Sequence, residues 1–193
     1  MKTKKLVAII ISIIICAVIA VGIYYFAVYK KGGKPDDYSK LTENMQAWTV
    51  SDTSGMLLYV PEDYTETEND FYGLYCKDDA RIKLTYQDCD NDLANYSINA
   101  ITQYKNITDA FTVNSEFDEV LSSDTIAHIV EFDYSLSLDS GVKHFSCLSA
   151  FVIANGKAYV LTCTCDSGNY SKYKDDFYKT YKSMRAVMDY DQK

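Results

Sequence analysis

The chain has 193 residues, 48% of them hydrophobic and 14% aromatic, with a formal net charge of −8. After position 34 it holds 13 basic and 27 acidic residues, which is a net charge of −14. This charge excludes nucleic acid and anionic lipid headgroups as partners, because both bind clustered Lys and Arg. The composition also excludes a disordered chain and predicts one folded domain of about 160 residues.

The longest apolar stretch, residues 6–29, carries no charge and predicts a transmembrane helix. At about 1.5 Å per residue it reaches roughly 36 Å, which is enough to cross a hydrocarbon core of about 30 Å. Lysines flank it on both sides, and tyrosines crowd its C-terminal end, where the headgroup layer favours amphipathic rings. The predicted partner of this segment is the lipid bilayer, and its anchor residues are Leu6, Ile10, Ile14, Val18, Ile23, Tyr24, Tyr25 and Tyr29.

Other interpretations of the N-terminus remain open. A cleaved signal peptide would end at Ala20, but the apolar run continues past that residue to Tyr29. A lipoprotein would use Cys16, although the residue before it, Ile15, is not small. The short tail and the long C-terminal domain favour a single-pass protein of the cell membrane with an extracytoplasmic domain. Equal lysine counts on the two sides leave open a structural membrane subunit that faces the cell interior.

Polar, turn-rich residues follow the span, with the sequence Gly-Gly-Lys-Pro-Asp-Asp from Gly32 to Asp37. Such a composition is typical of a short linker. The predicted organisation is therefore a tail, a transmembrane helix, a juxtamembrane stalk and an extracytoplasmic domain, at residues 1–5, 6–29, 30–44 and 45–193.

The first half of the domain is predicted to contain short strands. Runs of β-prone residues lie at 46–52 and 55–60, and Pro61 ends the second because proline lacks a backbone N–H. Two further runs, at 71–76 and 81–88, are separated by a polar turn and predict a hairpin.

Two segments repeat apolar residues at spacings of three and four, which predicts amphipathic helices. The first covers residues 91–104 and has Asp90 at its start as a cap. The second covers residues 171–188, and its aromatic stripe is typical of core packing rather than of a ligand site. The repeating residues are Leu93, Tyr96, Ala100 and Tyr104 in the first, and Tyr170, Tyr173, Phe177, Tyr181, Met184 and Met188 in the second.

Residues 125–165 form three alternating runs joined by two turns, Ser140-Gly141 and Asn155-Gly156. If both turns are two-residue loops, the residues that flank each turn pair across it, and the two registers agree on which side chains share a face. Because both faces are apolar, the predicted fold class is α+β, with a mostly antiparallel sheet covered by helices on both faces after the N-terminal transmembrane helix. One predicted face holds Val130, Phe132, Tyr134, Phe145, Cys147, Phe151, Ile153 and Val160, and the other holds Ala127, Ile129, Leu148, Ala150, Val152, Tyr159, Leu161, Cys163 and Cys165.

The element order and two motifs resemble the PsbP-like fold family. Residues 156–185, GKAYVLTCTCDSGNYSKYKDDFYKTYKSMR, resemble the family's closing strand and helix, and Val60-Pro61-Glu62-Asp63-Tyr64 resembles its early Pro motif. The chain departs from the family at Tyr64, where Trp is common, and at Met184, where Phe is common. The resemblance covers roughly residues 45–188 and implies an α/β/α sandwich.

The resemblance also implies a mode of action. The family includes an extrinsic photosystem subunit, a Ran-binding transport factor and many membrane-anchored or lipid-anchored bacterial surface proteins. Its members share protein binding without catalysis, and the family supplies no catalytic residues to carry over to this chain.

The two histidines do not predict an active site. His128 falls on one predicted face of the sheet, opposite Ile153, and His144 falls on the other face, so the two cannot share a site. The sequence has no glycine-rich phosphate loop, no Gly-x-Ser-x-Gly elbow and no His-Glu-x-x-His pair. We therefore expect no enzymatic activity, no catalytic residue and no cofactor.

The cysteines outside the span are the other candidates for chemistry: Cys76, Cys89, Cys147, Cys163 and Cys165. An odd count precludes complete internal pairing. A four-thiolate zinc site without Cys147 is an alternative, although the sequence lacks Cys-x-x-Cys pairs. Small buried thiols without metal are the preferred interpretation. The predicted faces separate Cys147 from Cys163 and Cys165, which excludes a disulfide between them.

The sequence thus predicts a membrane-tethered extracytoplasmic protein-binding or ligand-binding module without catalysis. The acidic excess favours an envelope protein partner with a basic face and excludes nucleic acid. The alternative is a cysteine-dependent metal or redox protein of the cell envelope.

Overall fold

The computed structural model describes residues 38–49, 55–67, 74–121 and 125–186. The predicted transmembrane segment, with all its anchor residues, lies outside these ranges and stays a prediction. Within the described ranges, no helix combines the length and the apolar character needed to cross a bilayer. The described elements are α1 (Tyr38–Leu41), β1 (Met45–Thr49), β2 (Met56–Pro61), β3 (Thr65–Thr67), β4 (Leu74–Lys77), β5 (Ala80–Asp88), α2 (Leu93–Ile107), β6 (Ala110–Val120), β7 (Ile126–Leu138), β8 (Gly141–Ala154), β9 (Lys157–Asp166), a 3-10 turn (Ser167–Asn169), α3 (Tyr170–Lys182) and β10 (Arg185–Ala186).

The strands belong to two sheets. Within the described ranges, seven strands form the large sheet, in the order β3-β4-β5-β9-β8-β7-β6, and three form the small sheet, in the order β1-β2-β10. All of these neighbours pair antiparallel. Helix α2 covers one face of the large sheet, while α3 and the small sheet cover the other. The α+β class and the antiparallel sheet with cover on both faces are confirmed, but the sequence did not predict a separate small sheet.

The two predicted hairpin turns differ in accuracy. The Asn155-Gly156 turn is confirmed, because Ala154 pairs with Lys157 and both turn residues have positive φ angles of 53° and 72°. In the other hairpin Leu138 pairs with Gly141, so the turn is Asp139-Ser140 rather than Ser140-Gly141. Gly141, with φ 113°, follows the turn instead of lying in it. The register therefore differs by two residues, and a shift by two leaves every side chain on its predicted face.

Both predicted faces of the sheet are confirmed. We call the face that α2 covers the α2 side and the opposite face the α3 side. Tyr134, Phe145 and Ile153 are half-buried members of the α2-side set. The α2 side buries Val130, Phe132, Cys147, Phe151 and Val160. The α3 side buries Ala127, Ile129, Leu148, Ala150, Val152, Tyr159, Leu161, Cys163 and Cys165.

The helix boundaries differ from the prediction at both ends. Helix α2 is capped by Asp92 rather than Asp90, because the Asp92 carboxylate accepts the Asn95 N–H at 2.8 Å. Helix α3 ends at Lys182 instead of continuing to residue 188, because Ser183 leaves the helix. Its hydroxyl accepts the Tyr59 N–H of β2 at 2.8 Å, and the chain then forms β10 on the same strand.

Strand β6 is the longest element that the sequence did not predict. Its residues alternate poorly, since acidic and polar side chains occupy much of Ala110–Val120 and the pairing with β7 shifts between Val113 and Ser115. This β-bulge reverses the facing of the residues on either side of it, which conceals the period of two. The strand forms nonetheless, because β7 presents a long partner edge along its whole length.

Candidate functional site

A surface cleft of about 330 Å³ lies where the small sheet meets α3. Its size falls at the lower end of the range for ligand-binding clefts. Three separate segments supply its walls: the start of β1, the turn after β2 and the outer side of α3. The lining residues are Glu43, Asn44, Met45, Pro61, Glu62, Asp63, Asp176 and Lys179.

Hydrogen bonds to backbone carbonyl groups hold the first two segments together. Asn44 adopts a positive φ of 60°, and its carbonyl oxygen accepts the Glu62 N–H at 3.2 Å. The Gln46 side-chain amide donates to the carbonyl oxygens of Pro61 at 3.2 Å and Tyr64 at 2.7 Å. The walls of the cleft are therefore positioned by hydrogen bonds that do not depend on the lining carboxylates.

One side of the cleft is neutralised by a lysine behind it. Lys77 of β4 lies 2.5 Å from an Asp63 oxygen and 3.6 Å from an Asp176 oxygen. The hydrogen bond to Asp63 raises the pKa of Lys77 above its ordinary value. The Tyr64 hydroxyl donates to Asp176 at 3.3 Å, and burial, followed by the Asp176 charge, raises the pKa of Tyr64. Because Lys77 balances only part of this charge, the cleft stays acidic.

The other side of the cleft carries exposed carboxylates. Glu43 and Glu62 are exposed, and within the described residues neither has an ion-pair or side-chain hydrogen-bond partner. Four carboxylates thus face two ammonium groups, from Lys77 and Lys179. A cationic side chain entering the cleft would gain favourable Coulomb energy without displacing an existing ion pair.

The stalk predicted at 30–44 partly belongs to this structure. Residues 38–44 carry helix α1 and the first wall of the cleft. The Tyr38 hydroxyl donates to the Ser183 carbonyl at 3.0 Å, and its ring meets the Tyr59 ring edge-on at 5.9 Å. The folded domain therefore begins no later than Tyr38, seven residues before the predicted start.

The two histidines lie on opposite faces of the large sheet, as predicted, and neither lines the cleft. His128 pairs across with Phe151 rather than Ile153, because of the register shift in this hairpin. Its ring nitrogens contact Asp118 at 2.7 Å and Glu116 at 3.1 Å, both on β6. His144 is exposed near the tip of the β7–β8 hairpin.

The cysteines do not converge on a site. Cys147 lies on the α2 side, and Cys163 and Cys165 lie on the α3 side, as predicted. Burial raises the pKa of Cys147 to about 11 and that of Cys165 to about 12, and it also raises the pKa of Cys163. These thiols therefore stay protonated and unreactive at neutral pH.

The four-thiolate alternative is contradicted by the strand geometry. Cys76 pairs with Arg81 at the start of β5, whereas Cys89 follows the end of that strand. Eight residues of strand place these two cysteines roughly 25 Å apart. Among the residues that the structure describes, no group of three or more Cys, His, Asp or Glu side chains is placed to hold a metal ion.

The α3 side also contains a buried polar cluster that the sequence did not predict. The Glu131 side chain is 8% exposed, and it contacts Lys174 at 3.3 Å and the Tyr178 hydroxyl. The buried hydroxyls of Ser115, which pairs across from Glu131, and of Tyr170 have no hydrogen-bond partner among the described residues. A carboxylate in the middle of an apolar strand was the available signal. We assign the cluster to attaching α3 to the sheet, because its members come from α3 and the two strands beneath it.

No protein-family model and no curated protein sequence matches the chain. Solved structures do match. The cyanobacterial PsbP of Synechocystis sp. PCC 6803 is similar over 75% of this chain and 93% of its own, with a TM-score of 0.57 and 9% identity. LpqN of Mycobacterium tuberculosis is similar over 79% and 97%, with a TM-score of 0.52 and 16% identity. A point mutant of the protein Mog1 is similar over 76% and 97%, with a TM-score of 0.50 and 10% identity.

These similarities establish the fold, and the described domain has the PsbP-like architecture that the sequence motifs suggested. The two departures from the family pattern occupy core positions. Tyr64 is 2% exposed and Met184 is 0% exposed, so both residues pack in the core of the domain. The chain thus belongs structurally to a fold class whose similar members differ widely in sequence.

Proposed function

We propose that this protein is a membrane-tethered extracytoplasmic binding module that holds a protein partner with a basic face and performs no catalysis. The observation that carries the proposal is the acidic cleft, in which Glu43 and Glu62 offer unneutralised charge. Lysine or arginine side chains of the partner would enter between them. Among the described residues, those that line the cleft include no His, Cys, Ser or Thr, the residue types that usually supply a nucleophile with its base.

The similar structures support this proposal at the level of fold. LpqN is described as involved in cell envelope biogenesis, which is consistent with an envelope location for the present chain. The PsbP-like family suggested by the motifs works by protein binding. A net charge of −14 after position 34 adds long-range attraction for a basic partner, which speeds association and weakens as salt rises.

The tether consists of residues 6–29, with the anchor residues named above. Eight residues, 30–37, separate this segment from helix α1, and they span at most about 28 Å when fully extended. We propose a single-pass protein of the cell membrane with its C-terminal domain extracytoplasmic. External protease added to intact cells whose envelope admits the enzyme should remove the domain. Survival of the domain until the cells are lysed would contradict this orientation.

Site-specific photo-crosslinking in living cells tests the cleft. A photoreactive amino acid at position 62, in the cleft, should capture a partner, and the yield should fall as ionic strength rises. The same amino acid at Gln103, exposed on α2, is the control and should capture little. Mapping the crosslink on the partner should identify a surface rich in Lys and Arg. Equal yields from the two positions would contradict the proposal.

Charge reversal separates the cleft from overall charge. Glu43→Lys combined with Glu62→Lys should reduce partner capture at least about tenfold, because the change replaces attraction by repulsion at the contact. Asp90→Lys combined with Asp139→Lys changes the net charge equally at exposed positions outside the cleft. This control should change capture by less than about threefold. A small molecule found in the purified domain, with no partner captured, would indicate ligand binding instead.

A further inference from the structure

The two edges of the large sheet differ in length. One edge is β3, with three residues, and the other is β6, with eleven. Short edge strands are one way in which proteins prevent unwanted pairing. Among the described residues, β6 pairs with β7 alone and has no strand on its outer side. A long strand at the edge of a sheet is a template on which another extended chain can form hydrogen bonds.

The hydrogen-bond pattern identifies which backbone groups of β6 face outward. The Leu121 N–H donates to the Thr125 carbonyl at 2.8 Å, in register with the β6–β7 pairing. In an antiparallel ladder, alternate residues direct their N–H and C=O groups toward and away from the partner strand. Counting back from Leu121, the outward groups belong to Val120, Asp118 and Glu116. The bulge between Val113 and Ser115 limits this regular stretch to Ser115–Val120.

The side chains along this stretch are acidic and accessible. Glu116 and Asp118 point to the α2 side, where both contact His128, yet their side chains remain 54% and 69% exposed. Val120 follows on the same side and is 50% exposed. An incoming strand therefore meets two carboxylates at alternate positions and then an apolar side chain. This pattern complements a strand that carries Lys or Arg at alternate positions.

A second copy of this chain is a poor occupant of the same edge. Antiparallel self-pairing centred on Asp118 would place that carboxylate opposite its own copy, with Glu116 near Val120. Like charges directly opposite one another destabilise a strand pair. The acidic residues thus oppose self-association while they favour a basic strand.

We propose that Ser115–Val120 is a docking edge that adds an extended basic segment of a partner protein to the large sheet. The outward N–H and C=O groups of Glu116, Asp118 and Val120 supply the hydrogen bonds, and the two carboxylates select Lys or Arg. This surface is distinct from the acidic cleft, to which β6 contributes no residue. The proposal for the docking edge and the proposal for the cleft can therefore be tested independently.

The test uses the full-length protein in nanodiscs of phosphatidylcholine, a zwitterionic lipid that does not attract basic peptides. The probe is the fluorescent heptapeptide Lys-Val-Lys-Thr-Lys-Val-Lys, and its binding is measured by anisotropy. We expect saturable binding that weakens with salt, and slower hydrogen exchange at the amides of Glu116, Asp118 and Val120. The control peptide, with glutamate in place of each lysine, should not bind.

Two variants separate backbone pairing from charge. Asp118→Pro removes an outward N–H without removing a bond to β7, a position where edge strands tolerate proline. It should raise the Kd at least about tenfold. Asp118→Ala keeps the N–H and removes the charge, and should raise the Kd about threefold at low salt. Circular dichroism confirms that both variants remain folded.

Several results would overturn the docking edge. One is equal affinity of Asp118→Pro and the wild type, and another is peptide binding that leaves β6 exchange unchanged. Protection of these three amides in the free protein would show that the edge is already occupied. Concentration-dependent dimers abolished by Asp118→Pro would assign the edge to self-pairing. Loss of binding only in the Glu43→Lys, Glu62→Lys variant would move the peptide to the cleft and leave the proposed function standing.

Discussion

The two helices that cover the large sheet bury their apolar side chains to different degrees. On the α3 side, the helix buries Tyr173, Phe177, Thr180 and Tyr181. They join a core that also takes side chains from both sheets, including Trp48 of β1 and Tyr75 of β4, whose rings lie 4.8 Å apart. On the α2 side, the apolar helix residues Leu93, Tyr96, Ala100, Ile101 and Tyr104 are only partly buried.

The hydrogen bonds between each helix and the sheet differ in the same direction. Helix α3 is attached through charged partners, with the Tyr181 hydroxyl 2.6 Å from Glu119 and the Tyr173 hydroxyl 3.0 Å from Asp79. Helix α2 contacts the sheet through the neutral pair of Tyr104 and Thr162 hydroxyls at 3.3 Å. Hydrogen bonds to ionised groups are roughly twice as strong as neutral ones. The comparison indicates that α3 unfolds with the whole domain, whereas α2 is the less stable helix.

The largest expected effect is from truncation of the α3 core. Phe177→Ala should lower the free energy of unfolding by about 3–5 kcal/mol, because it leaves a cavity at a fully buried position. Ile101→Ala, on α2, should cost about 1–2 kcal/mol, since this side chain is only partly buried. Denaturant unfolding followed by fluorescence of Trp48, which is the single tryptophan, measures both. Equal losses of unfolding free energy would show that the two helices are packed equally well against the sheet.

Alkaline pH should destabilise the domain through its buried thiols. The pKa of Cys147 rises from 9.0 to about 11 in the folded state, so the unfolded chain loses its proton first. The protonated Cys147 thiol therefore stabilises the folded state fully below about pH 9, and this contribution is lost as the pH rises through 11. The two pKa units between the folded and unfolded states correspond to about 3 kcal/mol of unfolding free energy. Burial raises the pKa of Cys165 to about 12, so its contribution is lost over a wider range.

Single cysteine substitutions measure how much of the stability lost at alkaline pH comes from thiols on each side of the large sheet. Cys147→Ala should remove the contribution of the α2-side thiol, and Cys165→Ala should remove the contribution of one of the two buried α3-side thiols and leave that of Cys163. Unfolding free energies of both variants and the wild type, measured from pH 7 to 12, give the two differences. Identical pH profiles for all three proteins would contradict the prediction. Thiol labelling at neutral pH should modify Cys76 and Cys89, which are half-buried, before any of the buried cysteines.

Matched hydroxyl deletions compare the polar attachments. Tyr181→Phe removes the donor to the Glu119 carboxylate and should cost about 2 kcal/mol. Tyr104→Phe removes the longer neutral contact to Thr162 and should cost about 0.5–1 kcal/mol. Both changes keep the aromatic ring, so thermal unfolding reports the hydroxyl alone. A larger loss for Tyr104→Phe would reverse the comparison.

The smallest expected effect is confined to α2. Asp92→Ala removes the side-chain cap of this helix and should cost about 1 kcal/mol. Hydrogen exchange of the α2 amides should then accelerate about fivefold, while exchange in α3 stays unchanged. Equal acceleration in both helices would show that α2 opens only with the whole domain.

The sequence alone determined which side chains share a face. Strand alternation has a period of two, so an error of two residues at the Asp139-Ser140 turn left both faces correct. Helix periodicity likewise placed the aromatic residues of α3 in the core, because its stripe follows from local geometry. The element order and the two motifs, at residues 60–64 and 156–185, indicated the fold for the same reason, since they record local strand ends and helix starts.

Tertiary structure decided what local patterns do not encode. Strand β6 forms because β7 offers it a pairing edge, and α3 ends where Ser183 finds the backbone of Tyr59, 124 residues away in sequence. The acidic cleft brings together segments near Glu43, Glu62 and Asp176, whose separation in sequence leaves no shared period or spacing. Pairing partners and cavities depend on long-range contacts, and these are formed only when the whole core packs.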